Sequence, residues 1–164
     1  MDVVTGVETV ESVISLIGGL NTLLGCIDTI LKASTEMKMV KEETANLLAV
    51  LQNVEYLIQR DESCATYLIP LTKKGGPIDA AQLILKELFG LLGGDEPGED
   101  FRESMKSLTR RIKELTLDDV KWPHTKKKVE GLLQRLERQK TTINMALSHA
   151  IAYVSVYRHV RVSS

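Results

Sequence analysis

Three consecutive lysines, Lys126, Lys127 and Lys128, with Arg135, Arg138 and Lys140 beyond them, form a dense cationic stretch in this 164-residue sequence. The chemistry open to such a stretch is recognition of phosphate. Nucleic acid is one owner of phosphates, but the stretch has no interleaved aromatic residues and the chain carries a formal charge of −1, so no nucleic-acid partner is expected. Anionic lipid headgroups are the expected partner, with Lys126, Lys127, Lys128, Arg135 and Arg138 as the lipid-facing candidates. The competing reading is a solvated helix face paired with Glu130 and Glu137.

The other reactive residue types are scattered. His124, His149 and His159 have no carboxylate or cysteine at a spacing that builds a metal site or a triad. Cys26 and Cys64 lie on separate apolar segments and are expected to remain thiols. Gly90, Gly93, Gly94 and Gly98 lack the Gly-Lys-Ser/Thr ending that lets a loop cradle a nucleotide's phosphates. Asp118 and Asp119 read as a helix end. The sequence therefore predicts no enzyme activity, no cofactor and no metal.

The elements that must carry the cations are helices. Aromatic residues are only 4% of a chain that is 43% hydrophobic, which points to an aliphatic core of Leu, Ile and Val. At 18.2 kDa the chain has the size of one domain, spanning residues 1–164. Apolar spacing predicts helices over about 3–32, 36–60, 78–92, 100–116 and 123–157, with a short extra turn within 64–71 and a turn at the TKKGGP of residues 72–77. The third of these carries Leu83, Ile84, Leu88, Leu91 and Leu92, the fourth a seam of Phe101, Met105, Leu108, Ile112 and Leu115, and the fifth a stripe from Val129 to Ile151 and Val154. Pro123 falls in the first turn of the last helix, where its missing N–H is harmless. The tail from Tyr153 alternates apolar and polar residues; with no strand partner in the sequence it reads as a fraying helix end. The predicted fold class is all-α, an antiparallel helical bundle of four to five helices with a long C-terminal helix.

Charge is divided along the chain. Residues 1–101 hold 7 Lys and Arg against 16 Asp and Glu, whereas residues 102–164 hold 14 against 6. Mutual neutralisation within one bundle is one expectation, and a basic face offered to lipid is the other.

The first helix is unlike the rest. Between Glu11 and Asp28 lie sixteen uncharged residues, in which Val13, Ile14, Leu16, Ile17, Leu20, Leu23, Leu24 and Ile27 recur at helical spacing, interrupted by Gly18 and Gly19. That is just short of the roughly 20 apolar residues of a normal bilayer span. Asp2, Glu8 and Glu11 come where a secretory signal would place Lys or Arg, so no signal peptide is expected. Gly6, Gly18, Gly19 and Gly25 each cost a helix about 1 kcal/mol relative to alanine. The segment is expected to be a core helix at rest that can also enter lipid.

With these residues in view, the chain resembles the HeLo-like (HELL-type) family, fungal N-terminal domains of STAND (NOD-like) receptors, ankyrin-repeat proteins and lipase-like effectors. One segment that carries the resemblance is VETVESVISLIGGLNTLLGCIDTILKAS near the N-terminus; the other is KWPHTKKKVEGLLQRLERQKTTINMALS. In the second, Trp122, Pro123, Lys127, Val129, Leu132, Leu136, Lys140, Thr141 and Leu147 fall on matching positions. The resemblance implies a bundle that acts in programmed cell death, heterokaryon incompatibility and fungal innate immunity. Its implied partners are further copies of itself on activation, anionic membrane lipids, and a downstream receptor or effector domain. Its implied location is cytoplasmic at rest and the plasma membrane on activation. There the oligomerised bundle exposes its N-terminal helix and permeabilises the bilayer as a pore-forming element. The alternative is a non-lytic helical adaptor or regulatory oligomerisation module of a NOD-like receptor. The first helix departs from a simple electrostatic attraction to lipid, since it has Glu8, Glu11 and Asp28 and no cation before Lys32.

Overall fold

The computed structural model describes residues 4–29, 37–93, 101, 103, 105, 106, 110 and 122–163. Every regular element among them is helical: α1 (Val4–Thr29), α2 (Lys38–Arg60), α3 (Glu62–Leu68), a 3-10 turn (Ile69–Thr72), α4 (Pro77–Gly93) and α5 (Trp122–Val162). The fold class is all-α. Phe101, Glu103, Met105, Lys106 and Arg110 are helical too; Leu108, Ile112 and Leu115 of the expected fourth-helix seam lie outside the described residues.

The four long helices form a ring in the order α1, α2, α5, α4, each packed on its two neighbours. Directions follow from the contacts. Lys41 at the start of α2 pairs with Asp28 at the end of α1, so these two are antiparallel. Between α2 and α5, Glu43 meets Lys140 and Asp61 meets Arg158, an equal advance along both chains, so these run parallel. On the other side of the ring Gln82 of α4 donates to the Ser12 carbonyl of α1, and Phe101 touches Gly19 as well as Phe89, so α1 and α4 also run parallel. Two antiparallel pairs, α1 with α2 and α4 with α5, therefore lie side by side.

Local chemistry sets the corners. Asp61 is a single extended residue that ends α2 with an N–H to the Leu57 carbonyl and starts α3 by accepting from the Ser63 N–H at 2.9 Å. The cap, together with Arg158, holds its carboxyl below the ordinary carboxylate range. In the following turn Gly75 adopts φ 77°, which favours glycine, and its N–H donates to Asp79 in the first turn of α4.

The core is aliphatic. Leu16, Leu20 and Leu23 of α1, Leu47 and Leu51 of α2, Leu68 of α3, and Ile84, Leu85, Leu88 and Leu92 of α4 are fully enclosed, and Val129, Leu132, Leu133, Leu136, Ile143 and Leu147 close it from α5. Three expectations change. Leu83 is 54% exposed, because the buried stripe of α4 runs through Ala81, Ile84, Leu85, Leu88 and Phe89 and leaves position 83 outside. The stripe of α5 ends at Ala150, with Ile151 exposed and Val154 only half-buried. The tail does not fray after Tyr157 but stays helical to Val162, supported by the Arg158–Asp61 ion pair and the packing of Tyr153 on Tyr67.

Candidate functional site

Within α1, Val10–Asp28 is the one stretch among the described residues long and apolar enough to cross a bilayer. At 1.5 Å per residue its 19 residues reach about 28 Å, close to the roughly 30 Å of a hydrocarbon core. Of the residues expected to enter lipid, Val13, Leu16, Gly19, Leu20, Leu23 and Ile27 are buried in the bundle, Ile17, Gly18 and Leu24 are half-buried, and Ile14 is 46% exposed. Ile14 thus departs from the expected buried face. Successive residues turn about 100°, and a face centred on Leu16, Leu20 and Leu23 leaves Ile14 on the outer side. Cys26 is buried in the same helix, and desolvation pushes its thiol up to about 11, so it stays protonated and packs as an apolar group.

The glycines of α1 divide by environment. A Cβ on Gly19 would sit 2.2 Å from the Phe101 ring, which itself stacks on Phe89 at 5.8 Å between centroids. Gly19 is therefore the seat of an aromatic ring, a packing reason that the sequence did not disclose. Gly18 and Gly25 would meet nothing within 4 Å, so they hold helical positions open to a side chain.

Lys126, Lys127, Lys128, Arg135 and Arg138 of α5 are all exposed, yet they do not share one face. Three consecutive helix residues sweep an arc of about 200°, which sets Lys126 and Lys128 on opposite flanks and leaves Lys127 on the outer face with Arg138. Part of the basic segment is joined to the acidic half of the chain: Arg135 pairs with Glu87 at 3.5 Å and Arg158 with Asp61 at 2.8 Å. Among the described residues no ion pair engages Lys126, Lys127, Lys128 or Arg138. Of the two expectations for the charge division, neutralisation is found along the seams, while Lys126, Lys127, Lys128 and Arg138 lie outside those pairs among the described residues.

Lys140 has a separate setting. It is largely enclosed between Glu43 of α2, at 3.5 Å, and Glu137 of its own helix, at 2.5 Å. Burial first, then the hydrogen bond with Glu137, pushes the Glu43 carboxyl up, while hydrogen bonding to Lys140 and Glu43 holds Glu137 down. The two carboxylates thus share one ammonium, with Glu43 the readier to hold a proton. Glu43 and Lys140 lie 97 positions apart, and no local pattern in the sequence pairs them.

The remaining family-matching residues are structural here. Leu132, Leu136 and Leu147 are core, and Trp122 and Pro123 open α5. No group of three or more His, Cys, Asp or Glu among the described residues is placed to hold a metal ion. No family model, curated protein or solved structure matches this chain. Fold and site together define an all-α bundle whose notable surfaces are an apolar helix shared with the core and, diagonally across the ring from it, a cationic helix only partly ion-paired among the described residues.

Proposed function

We propose that this chain is a membrane-targeting, oligomerising helical domain of the cell-death effector type, acting through exposure of α1 to a bilayer. The observation that carries the reading is Val10–Asp28, which is long enough for lipid while 39% of it is buried within the bundle. The resemblance to HeLo-like domains agrees with it, as do Lys126, Lys127, Lys128 and Arg138, which make no ion pair among the described residues and are each worth about 1 kcal/mol near an anionic leaflet. At rest α1 is held by Val13, Leu16, Leu20, Leu23 and Ile27. At about 1.5–3 kcal/mol for each buried side chain, moving these five into water would cost roughly 8–15 kcal/mol, as much as a whole domain's stability. Release into water is therefore closed. Transfer into lipid is open, because hydrocarbon offers the same side chains an equivalent home, and clustering of several copies supplies the bias.

The test is dye release from anionic liposomes by the clustered chain. Leu16→Glu should abolish release, since the charge opposes lipid entry, and deletion of residues 2–20 should do the same. Liposomes that stay sealed to the intact chain at every concentration refute the proposal. The second reading, a non-lytic adaptor, is favoured by the complete enclosure of Leu16, Leu20 and Leu23, and it predicts sealed liposomes with self-association retained.

A further inference from the structure

The last three turns of α5 carry Tyr153, Val156, Tyr157 and Val160 at spacings of i, i+3, i+4 and i+7, the pattern of a buried helix face. Here that face is exposed: Val156 is 65% and Val160 64% accessible. Tyr153 and Tyr157 stack along it at 6.2 Å, and Tyr67 of α3 flanks it at 4.3 Å from Tyr153. The hydroxyl hydrogen bond with Tyr153 pushes Tyr67 up to about 12, so Tyr67 flanks the stripe as a neutral ring at physiological pH.

Charge selects the occupant. Across all 41 residues of α5 there are only two acidic side chains, Glu130 and Glu137, and none follows Glu137. Both project to one side of the outer face, which carries Lys127 and Arg138 at one end and the Tyr/Val stripe at the other. His159 and Arg161 flank the stripe, with the Arg161 guanidinium 5.9 Å from the Tyr157 ring centre. Two copies docked through this stripe would bring these cations together, and four side chains are a small patch beside the roughly 800 Å² per partner of a stable interface. An anionic bilayer surface fits on both counts: Val enters the acyl boundary, Tyr sits at headgroup depth, and Arg and His meet phosphates.

Position adds a second argument. The stripe lies beside α3, which continues from the end of α2; α1 is antiparallel to α2 and packs on both α3 and the 3-10 turn, so the N-terminal part of α1 lies at this same end of the bundle. We infer that the terminal turns of α5 are an interfacial docking element that seats this end of the bundle on an anionic membrane before α1 is released. The inference rests on the proposed function and adds to it where on the surface the bilayer is met. It also answers the cost of release, because a docked bundle passes α1 into lipid without exposing it to water.

The test is flotation of the intact chain with phosphatidylcholine vesicles, with and without phosphatidylserine, comparing wild type, Val156→Glu/Val160→Glu and Val156→Ser/Val160→Ser. Binding should require phosphatidylserine and should fall at least about tenfold in both variants, with an unchanged thermal midpoint because both sites are exposed. The Ser pair removes apolar contact without adding charge. Wild-type flotation by both variants, or no flotation of the intact chain, overturns the inference. So does a wild-type dimer in sedimentation that the variants dissociate, which would give the stripe to a second copy. Ile14→Glu, at an exposed position of α1 where the resting bundle accepts a charge, separates the two proposals: it should float like wild type and leak less. Stripe-dependent flotation of a wild type that never leaks would leave docking standing and remove pore formation.

Discussion

Replacing Leu20 with alanine should make the chain less stable and more active on membranes at once. Leu20 is fully enclosed in the middle of α1, so the substitution leaves a cavity and costs the resting bundle about 2–5 kcal/mol. In a bilayer no cavity forms, because lipid chains close around the shorter side chain, and a leucine there is worth only about 0.3–0.6 kcal/mol. The difference, roughly 1.5–4.5 kcal/mol, favours the released state by about 10- to 1000-fold in population. Urea denaturation measures the first quantity, and the protein concentration needed for half-maximal dye release from anionic vesicles measures the second. The threshold should fall in Leu20→Ala although the helix has become less hydrophobic. Leu133→Ala in α5 is the control, since it opens a cavity in a helix whose main partners are α2 and α4, and it should lower the threshold much less for a similar loss of stability. If Leu20→Ala loses stability as worked out and leaks no more readily than wild type, α1 is not shared between core and lipid.

Two further outcomes follow from the same helices. Gly18→Ala and Gly25→Ala should each stabilise the chain by up to about 1 kcal/mol in urea denaturation, because each Cβ meets open space, whereas Gly19→Ala should destabilise it by displacing the Phe101 ring. Glu43→Gln should raise the thermal midpoint at pH 7, with the gain closing as the pH falls below the ordinary glutamate value of 4.5. The folded chain holds the Glu43 proton more tightly than the unfolded chain does, so that share of stability is present at low pH and is lost as pH rises through the raised value; glutamine keeps the neutral form throughout. A midpoint difference independent of pH would contradict that assignment.

Periodicity alone carried most of the fold. The stripes of α1 and α2 were readable because a single buried face recurs at three and four residues, and Val40, Leu47, Leu51, Val54 and Ile58 are all buried on α2, with Met37 buried just before it. The same method placed Leu83 inside and overlooked Leu85 and Phe89, because a helix rich in leucine all round offers more than one possible face and only its neighbours choose between them. The parallel alignment of α2 with α5 depends on contacts across almost a hundred residues, which no local pattern encodes. For the same reason Gly19 looked like a loosened helix position until Phe101 was seen resting on it. At the end of α5 the spacing was present, but the strand-like alternation from Tyr153 had no strand partner and left a fraying helix end as the reading, and the support from Asp61 and Tyr67 comes from elsewhere in the chain.

The order of helices around the ring separates a scaffold from a moving part. Two of the four seams, α2 with α5 and α5 with α4, involve no residue of α1. A bundle that has surrendered α1 still holds α5 between two neighbours, with the Glu43–Lys140 and Glu87–Arg135 bridges intact. The helix that bears the cations and the aromatic stripe is thus anchored independently of the helix that would leave. Grip on a surface and delivery of the apolar segment are mechanically decoupled, and the first can persist while the second proceeds.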